Sequence, residues 1–249
     1  MKTYILLFFV TLSFISYAQI QISYGPEVGI NSSGIPQFDS YTNSERNSVF
    51  KGSFLPLVLP KVGGFISLQA GNHFFIASGI NYRIVGKRNH TNQEEDNPFT
   101  GIYYSSDNYY QQTFHVISSP ALIGYNFMIG NSSFQIFAGY VFNYFATGKH
   151  YELSIYEEEN VPTLRLETNF NPLDENEIAV PAQRWNDQIT LGIGMNITEK
   201  LNLTINGLTG RRIEYAENIL YGWCATGWGN YYDNSDISIL LRYNLNKKQ

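Results

Sequence analysis

Residues 188–208, QITLGIGMNITEKLNLTINGL, alternate between apolar and small polar side chains with hardly a break. Ile189, Leu191, Ile193, Met195 and Ile197 share one side, while Gln188, Thr190, Gly192, Gly194 and Asn196 share the other. After Thr198, Glu199 and Lys200 the rhythm resumes, with Leu201, Leu203 and Ile205 set against Asn202, Thr204 and Asn206. A repeat of two marks an extended strand, and two such runs about a short turn predict a hairpin.

The same period recurs along the chain, giving eight stretches in all. The first carries Ile20, Ile22, Tyr24, Val28 and Ile30 in phase, and the second Val62, Ile66 and Leu68. Phe74, Ile76, Ile80, Tyr82 and Ile84 mark the third; Ile117, Ala121, Ile123, Tyr125 and Phe127 mark the fourth, which Pro120 interrupts. The fifth holds Phe134, Ile136, Ala138, Tyr140, Phe142 and Tyr144, and the eighth Ile237, Ile239, Leu241, Tyr243 and Leu245.

The connectors alternate in length. Short links at Gly71 and Asn72, at Gly130, Asn131 and Ser132, and at Thr198, Glu199 and Lys200 have hairpin chemistry. Residues 32–59, 87–113, 148–186 and 211–234 are read as long polar loops. An even number of strands with alternating short and long connections is the pattern of an outer-membrane barrel. The expected fold is therefore all-β: an eight-stranded antiparallel up-and-down transmembrane β-barrel with short periplasmic turns and long external loops.

Composition bears on which face meets water. Only 15% of residues are charged and 16% are aromatic, against roughly 25% charged in a typical soluble domain. A soluble lipocalin-like barrel keeps its apolar face inside and shows water a charged exterior. Here the second face is mostly Gly, Ser, Thr, Asn and Gln, with Glu27, Arg83 and Arg242 as its charges. Such a face suits the narrow interior of an eight-stranded barrel, and the apolar rows then face lipid. Glu27, Arg83 and Arg242 are expected to form an interior ion network, Glu27 touching at least one arginine, because a buried charge needs a partner.

Residues 1–18 read as a secretory signal peptide, with Lys2, an apolar run from Ile5 to Ile15 and a small-x-small site at Ser16, Tyr17 and Ala18. Residues 19–249 are then one outer-membrane barrel domain. No segment offers the ~20 apolar residues of a spanning helix, so a membrane location requires a closed barrel, in which every backbone group is paired. Lone Cys224 reads as an unpaired loop thiol.

Candidate chemistry is sparse. The formal net charge of −5 gives no basic footprint for nucleic acid. His150, Glu152 and Ser154 fall on one side of a strand, but alternate strand positions stand about 6–7 Å apart, too far for a hydrogen-bonded triad. The acidic runs Glu94, Glu95, Asp96 and Glu157, Glu158, Glu159 lack the spacing of a calcium loop. With no phosphate-binding glycine motif and no Cys/His set, neither cofactor nor metal is expected. Aromatic residues expected in loops offer contact area instead: Tyr103, Tyr104, Tyr109 and Tyr110 in one, Trp223, Trp228, Tyr231 and Tyr232 in another.

YGPEVGINSS near the start resembles the opening strand of the small outer-membrane β-barrel proteins labelled PorT-like, and SSPALIGYNF resembles their mid-chain strand, with Ser119 where an aliphatic residue is usual. The closing SILLRYNL agrees, so the likeness spans most of residues 19–249. The resemblance implies an outer-membrane location and, for some members, assistance to a protein-secretion apparatus; it implies no catalytic residues. The expected function is that of a non-porous accessory, scaffold or partner-binding protein, not an enzyme. Its expected partners are outer-membrane lipid and another outer-membrane or secreted protein. The alternative is a membrane-embedded hydrolase or acyltransferase.

Overall fold

The structure, a computed structural model, describes residues 20–33, 42–43, 48–96, 103–158, 161–174, 184–210, 213–215, 230–232 and 235–246. Side chains are described for residues 20–33, 57–92, 105–158, 161–174, 184–210 and 235–246. The expected signal peptide, Cys224, Trp223 and Trp228 lie outside the described residues.

In chain order the strands are β1 (Ile20–Ser33), β2 (Thr42–Asn43), β3 (Ser48–Ala70), β4 (Phe74–Asp96), β5 (Tyr103–Ile129) and β6 (Ser132–Glu158). There follow β7 (Leu164–Phe170), β8 (Trp185–Asn196), β9 (Leu201–Gly210), β10 (Ile213–Tyr215), β11 (Asn230–Tyr232) and β12 (Ser235–Tyr243). All pairings are antiparallel, and they close on themselves. β1 bonds β3 along its whole length and β12 along its second half. The circuit runs β1, β3, β4, β5, β6, β8, β9, β12 and back to β1. β2 and β7 lie outside it, on β3 and β6, and β10 pairs with β11. Closing the sheet removes the edges that would otherwise expose unpaired N–H and C=O groups.

Each of the eight alternating stretches supplies one strand of this ring. The short turns gather at one end, where Gly71 and Gly130 adopt φ of 65° and 60°. That left-handed backbone is open to glycine at little cost, so the turn chemistry read from the sequence has a physical basis here.

The strands are longer than the apolar rhythm foretold. β3 begins at Ser48, β4 runs to Asp96, β5 starts at Tyr103 and β6 continues to Glu158. Much of the chain read as long loops over residues 32–59, 87–113 and 148–186 is therefore ladder, projecting beyond the ring as a sheet of β3, β4, β5, β6 and β7. Residues 87–96 and 103–113 of this extension are polar or aromatic throughout, so no apolar stripe marks them. Cross-strand contacts hold it instead, for example Arg88 Nη2 donating to Gln111 Oε1 at 3.2 Å and His90 Nε2 2.5 Å from Asp107 Oδ1.

Burial is inverted relative to a water-soluble protein. Ile80 and Leu191 on the outer face are 68% and 69% exposed, whereas Glu27 and Arg83 inside are 1% and 0% exposed. The outward rows include Ile20, Ile22, Val28 and Ile30 of β1, Ile189, Leu191 and Ile193 of β8, and Ile237, Ile239 and Leu241 of β12.

The interior is layered along β4. Nearest the turns, Phe75 and Ala77 pack with Leu122 and Phe137. Asn81 and Arg83 follow, among polar groups. Beyond them Val85, Phe114, Val116, Phe145 and Leu173 form an apolar cluster in which Phe114 and Phe145 meet edge to face, ring centroids 5.4 Å apart. These two apolar layers add large apolar side chains to an inner face read from the sequence as mostly Gly, Ser, Thr, Asn and Gln. Large side chains such as Phe75 and Phe137 can enter because neighbouring strands offer glycine: a Cβ on Gly124 would lie 2.2 Å from Phe75, and one on Gly192 2.3 Å from Phe137.

Candidate functional site: a polar interior

Register places the interior charges. β1 and β12 pair Glu27 directly with Arg242, and Arg242 Nε donates to Glu27 Oε2 at 2.8 Å. Glu27 is buried and Arg242 nearly so. The Arg242 guanidinium lies 5.4 Å from the centre of the Phe65 ring and 6.0 Å from that of Phe137, where the ring faces favour a cation. Glu27→Ala should therefore destabilise more than the double change Glu27→Ala with Arg242→Met, because the single change strands a positive charge. Urea midpoints of the two variants in detergent micelles decide it; a less stable double variant contradicts the pairing.

Arg83 belongs to a second centre, not to Glu27. Its Nη1 donates to Asp236 Oδ2 at 2.6 Å, and neither side chain is exposed. Nε donates to Ser118 Oγ at 3.1 Å; Nη2 donates to Asn143 Oδ1 at 3.1 Å and Gln188 Oε1 at 2.5 Å. Ser118 and Asn143 also bond at 2.8 Å, and Asn143 Nδ2 reaches Gln188 Oε1 at 2.9 Å. Strands β4, β5, β6, β8 and β12 thus meet through one guanidinium. A planar fork of five donors can bridge several acceptors in this way; an ammonium could not.

The sequence reading missed two interior charges, Asp236 and Lys61, both buried. Each stands at the edge of its apolar stretch, Asp236 one residue before Ile237 and Lys61 one before Val62, so parity alone would have found them. Among the described residues the interior holds two carboxylates, Glu27 and Asp236, and three cations, Lys61, Arg83 and Arg242. A cavity of about 20 Å³ lies among Glu27, Lys61, Asn81, Arg83 and Arg242. That is space for about one water.

Leu173 is buried in the apolar cluster. Its segment is tied down by Asn171, whose Oδ1 accepts from Gly148 N at 3.2 Å and Leu173 N at 3.1 Å. Arg184 Nη2 donates to Leu173 O at 3.1 Å and Nη1 to Ala146 O at 3.2 Å. At the turn end a polar cavity of about 180 Å³ opens, lined among others by Gln21, Gln69, Gln135, Asn202 and Arg242.

His150, Glu152 and Ser154, set aside as a triad from their spacing, follow one another along β6. His150 Nε2 lies 3.5 Å from Glu152 Oε2, but the His150 ring is buried, stacked on Phe170 at 4.3 Å and edge-on to Tyr110 at 4.8 Å. Ser154 is buried two positions beyond Glu152 on β6. Among the described residues no three His, Cys, Asp or Glu side chains converge on a metal-sized site.

The aromatic contact surface needs correction too. Tyr103, Tyr104, Tyr109 and Tyr110 lie in β5 and Tyr231 and Tyr232 in β11, not in loops. Adjacent strand residues point to opposite faces, which separates Tyr109 from Tyr110. Tyr109 Oη donates to Gln111 Oε1 at 3.0 Å beside Arg88 and Tyr151, on the outer face. Tyr110 Oη donates to Gln112 Oε1 at 3.0 Å beside Lys87 and His150, on the face that continues the interior.

No family model matches the chain, and no curated protein proves similar to it.

Proposed function

We propose that this chain is a transmembrane β-barrel of the outer membrane, spanning with eight strands, its short turns periplasmic and its projecting sheet external. One observation carries the reading: isoleucine, leucine, valine and aromatic rows encircle the exposed outer face while the charged and amide side chains are buried within. In water that arrangement would leave a large apolar surface unburied; in lipid it is the stable one. Tyr82, Tyr144, Trp185 and Tyr243 tend toward the ends of these rows, as interface aromatics do.

The barrel acts as a non-porous, non-enzymatic accessory or scaffold, engaging a second outer-membrane or secreted protein through the external sheet. The resemblance to PorT-like proteins supports a helper of a secretion or surface-assembly machine. On fractionation the chain should stay with outer membranes through an alkaline wash, and it should migrate faster on gels before heating than after. Recovery in the soluble fraction overturns the reading.

The layered interior supports a further expectation. Reconstituted in planar bilayers, the protein should give no sustained stepwise conductance, since the Arg83 and Phe114 layers fill the bore. Porin-like steps would contradict a sealed barrel.

A further inference from the structure

On the outer face, just past the last apolar residue of β5 at Ile117, lies an open cavity of about 450 Å³. It is lined by His115, Thr147, Gly148, Lys149, Asn169 and Phe170, together with Asn171. The Asn171 side chain is engaged in holding the 171–173 turn. Lys149 and Asn169 are exposed, and neither has an ion pair or side-chain hydrogen bond with another described residue. His115 Nδ1 bonds the Tyr82 hydroxyl. A neutral imidazole that accepts there carries its proton on Nε2, where it can act as a donor.

The cavity thus gathers an ammonium, an imidazole N–H, a hydroxyl and an amide, with no carboxylate in its lining. Four donors without an acceptor anion suit a phosphate group. The same face carries Arg88 on β4, opposite Gln111. On this face the nearest carboxylate in register is Glu167, opposite Leu153, with Arg165 opposite Ile155 beyond it; Glu152, opposite Thr168, is one rung nearer but lies on the other face, beside His150.

We infer that this cavity binds the anionic phosphate headgroup of a lipid in the surrounding leaflet. The assignment rests on the membrane reading above, because it is the apolar rows directly below, Ile117 and Tyr82 among them, that would hold the acyl chains under the donors. A lipid anchored by its tails presents its phosphate at this height; a free ion gains nothing from the apolar wall.

The test uses the full chain in nonionic micelles, with native mass spectrometry reading retained lipid. Phosphatidic acid and a diacylglycerol with the same acyl chains serve as probes, with inorganic phosphate as competitor. Phosphatidic acid should be retained preferentially, and Lys149→Gln should weaken retention about fivefold, as one cation near a charged lipid surface does. His115→Gln should weaken it less, and Lys200→Gln, at the turn end, should leave it unchanged. Equal retention of the two lipids, or equal loss in Lys200→Gln, overturns the assignment. Displacement by inorganic phosphate at comparable concentration overturns the lipid source. If instead the chain remains monodisperse once detergent is removed, the membrane reading itself has failed and this assignment falls with it.

Discussion

Asp236→Ala is expected to be the most damaging single change in the interior, lowering stability by about 3–5 kcal/mol. Removing this carboxylate leaves Arg83 fully buried with its charge uncompensated, since its remaining contacts, Ser118, Asn143 and Gln188, are neutral. Adding Arg83→Met should recover much of the loss. The ion is then gone, the side chain keeps similar length, and Ser118, Asn143 and Gln188 still bond one another. Urea midpoints in micelles measure both variants. A double variant no more stable than Asp236→Ala would mean that Arg83 does not depend on Asp236 for its charge.

Leu191→Arg should be nearly as severe, for the opposite reason. Leu191 is 69% exposed at the middle of its row, between Ile189 and Ile193. Its ladder partners are Ala138 on β6 and Gly207 on β9. Against water an arginine there would be harmless; at the midplane of a bilayer it costs about 2–4 kcal/mol. The variant should therefore fail to assemble in membranes, whereas Thr190→Ser, one residue away and facing inward, should be mild. Membrane-inserted yield of the two variants, compared with wild type, reads the difference. Equal tolerance would place water, not lipid, against the outer face.

The two changes probe faces that the sequence separates by parity alone. Period-two alternation in residues 188–208 and its counterparts determined that Ile189 and Leu191 share one side and Gln188 and Thr190 the other, because successive side chains of a strand point apart. Gly71 and Gly130 marked two of the turns, since only a left-handed backbone makes so tight a reversal. The scarcity of charge on the second face suggested which side turns inward. These are local properties, and a sequence carries them legibly.

What depends on register was not legible. Nothing local matches Glu27 to Arg242 across 215 residues; that pairing exists because β1 closes onto β12. The same closure brings Asp236 to Arg83, so the interior holds two ion centres where the sequence suggested one network. The ladder beyond the ring was hidden for another reason. In residues 87–96 and 103–113 both faces are polar or aromatic, so alternation leaves no contrast between sides, and strand character there comes from pairing with neighbours across the sheet. Tyr109 and Tyr110 show the consequence. Composition grouped them as one contact surface, and the strand sends them to opposite faces. The sequence by itself determined the faces, while tertiary closure decided the partners, because side-chain direction is fixed within a strand and register only between strands.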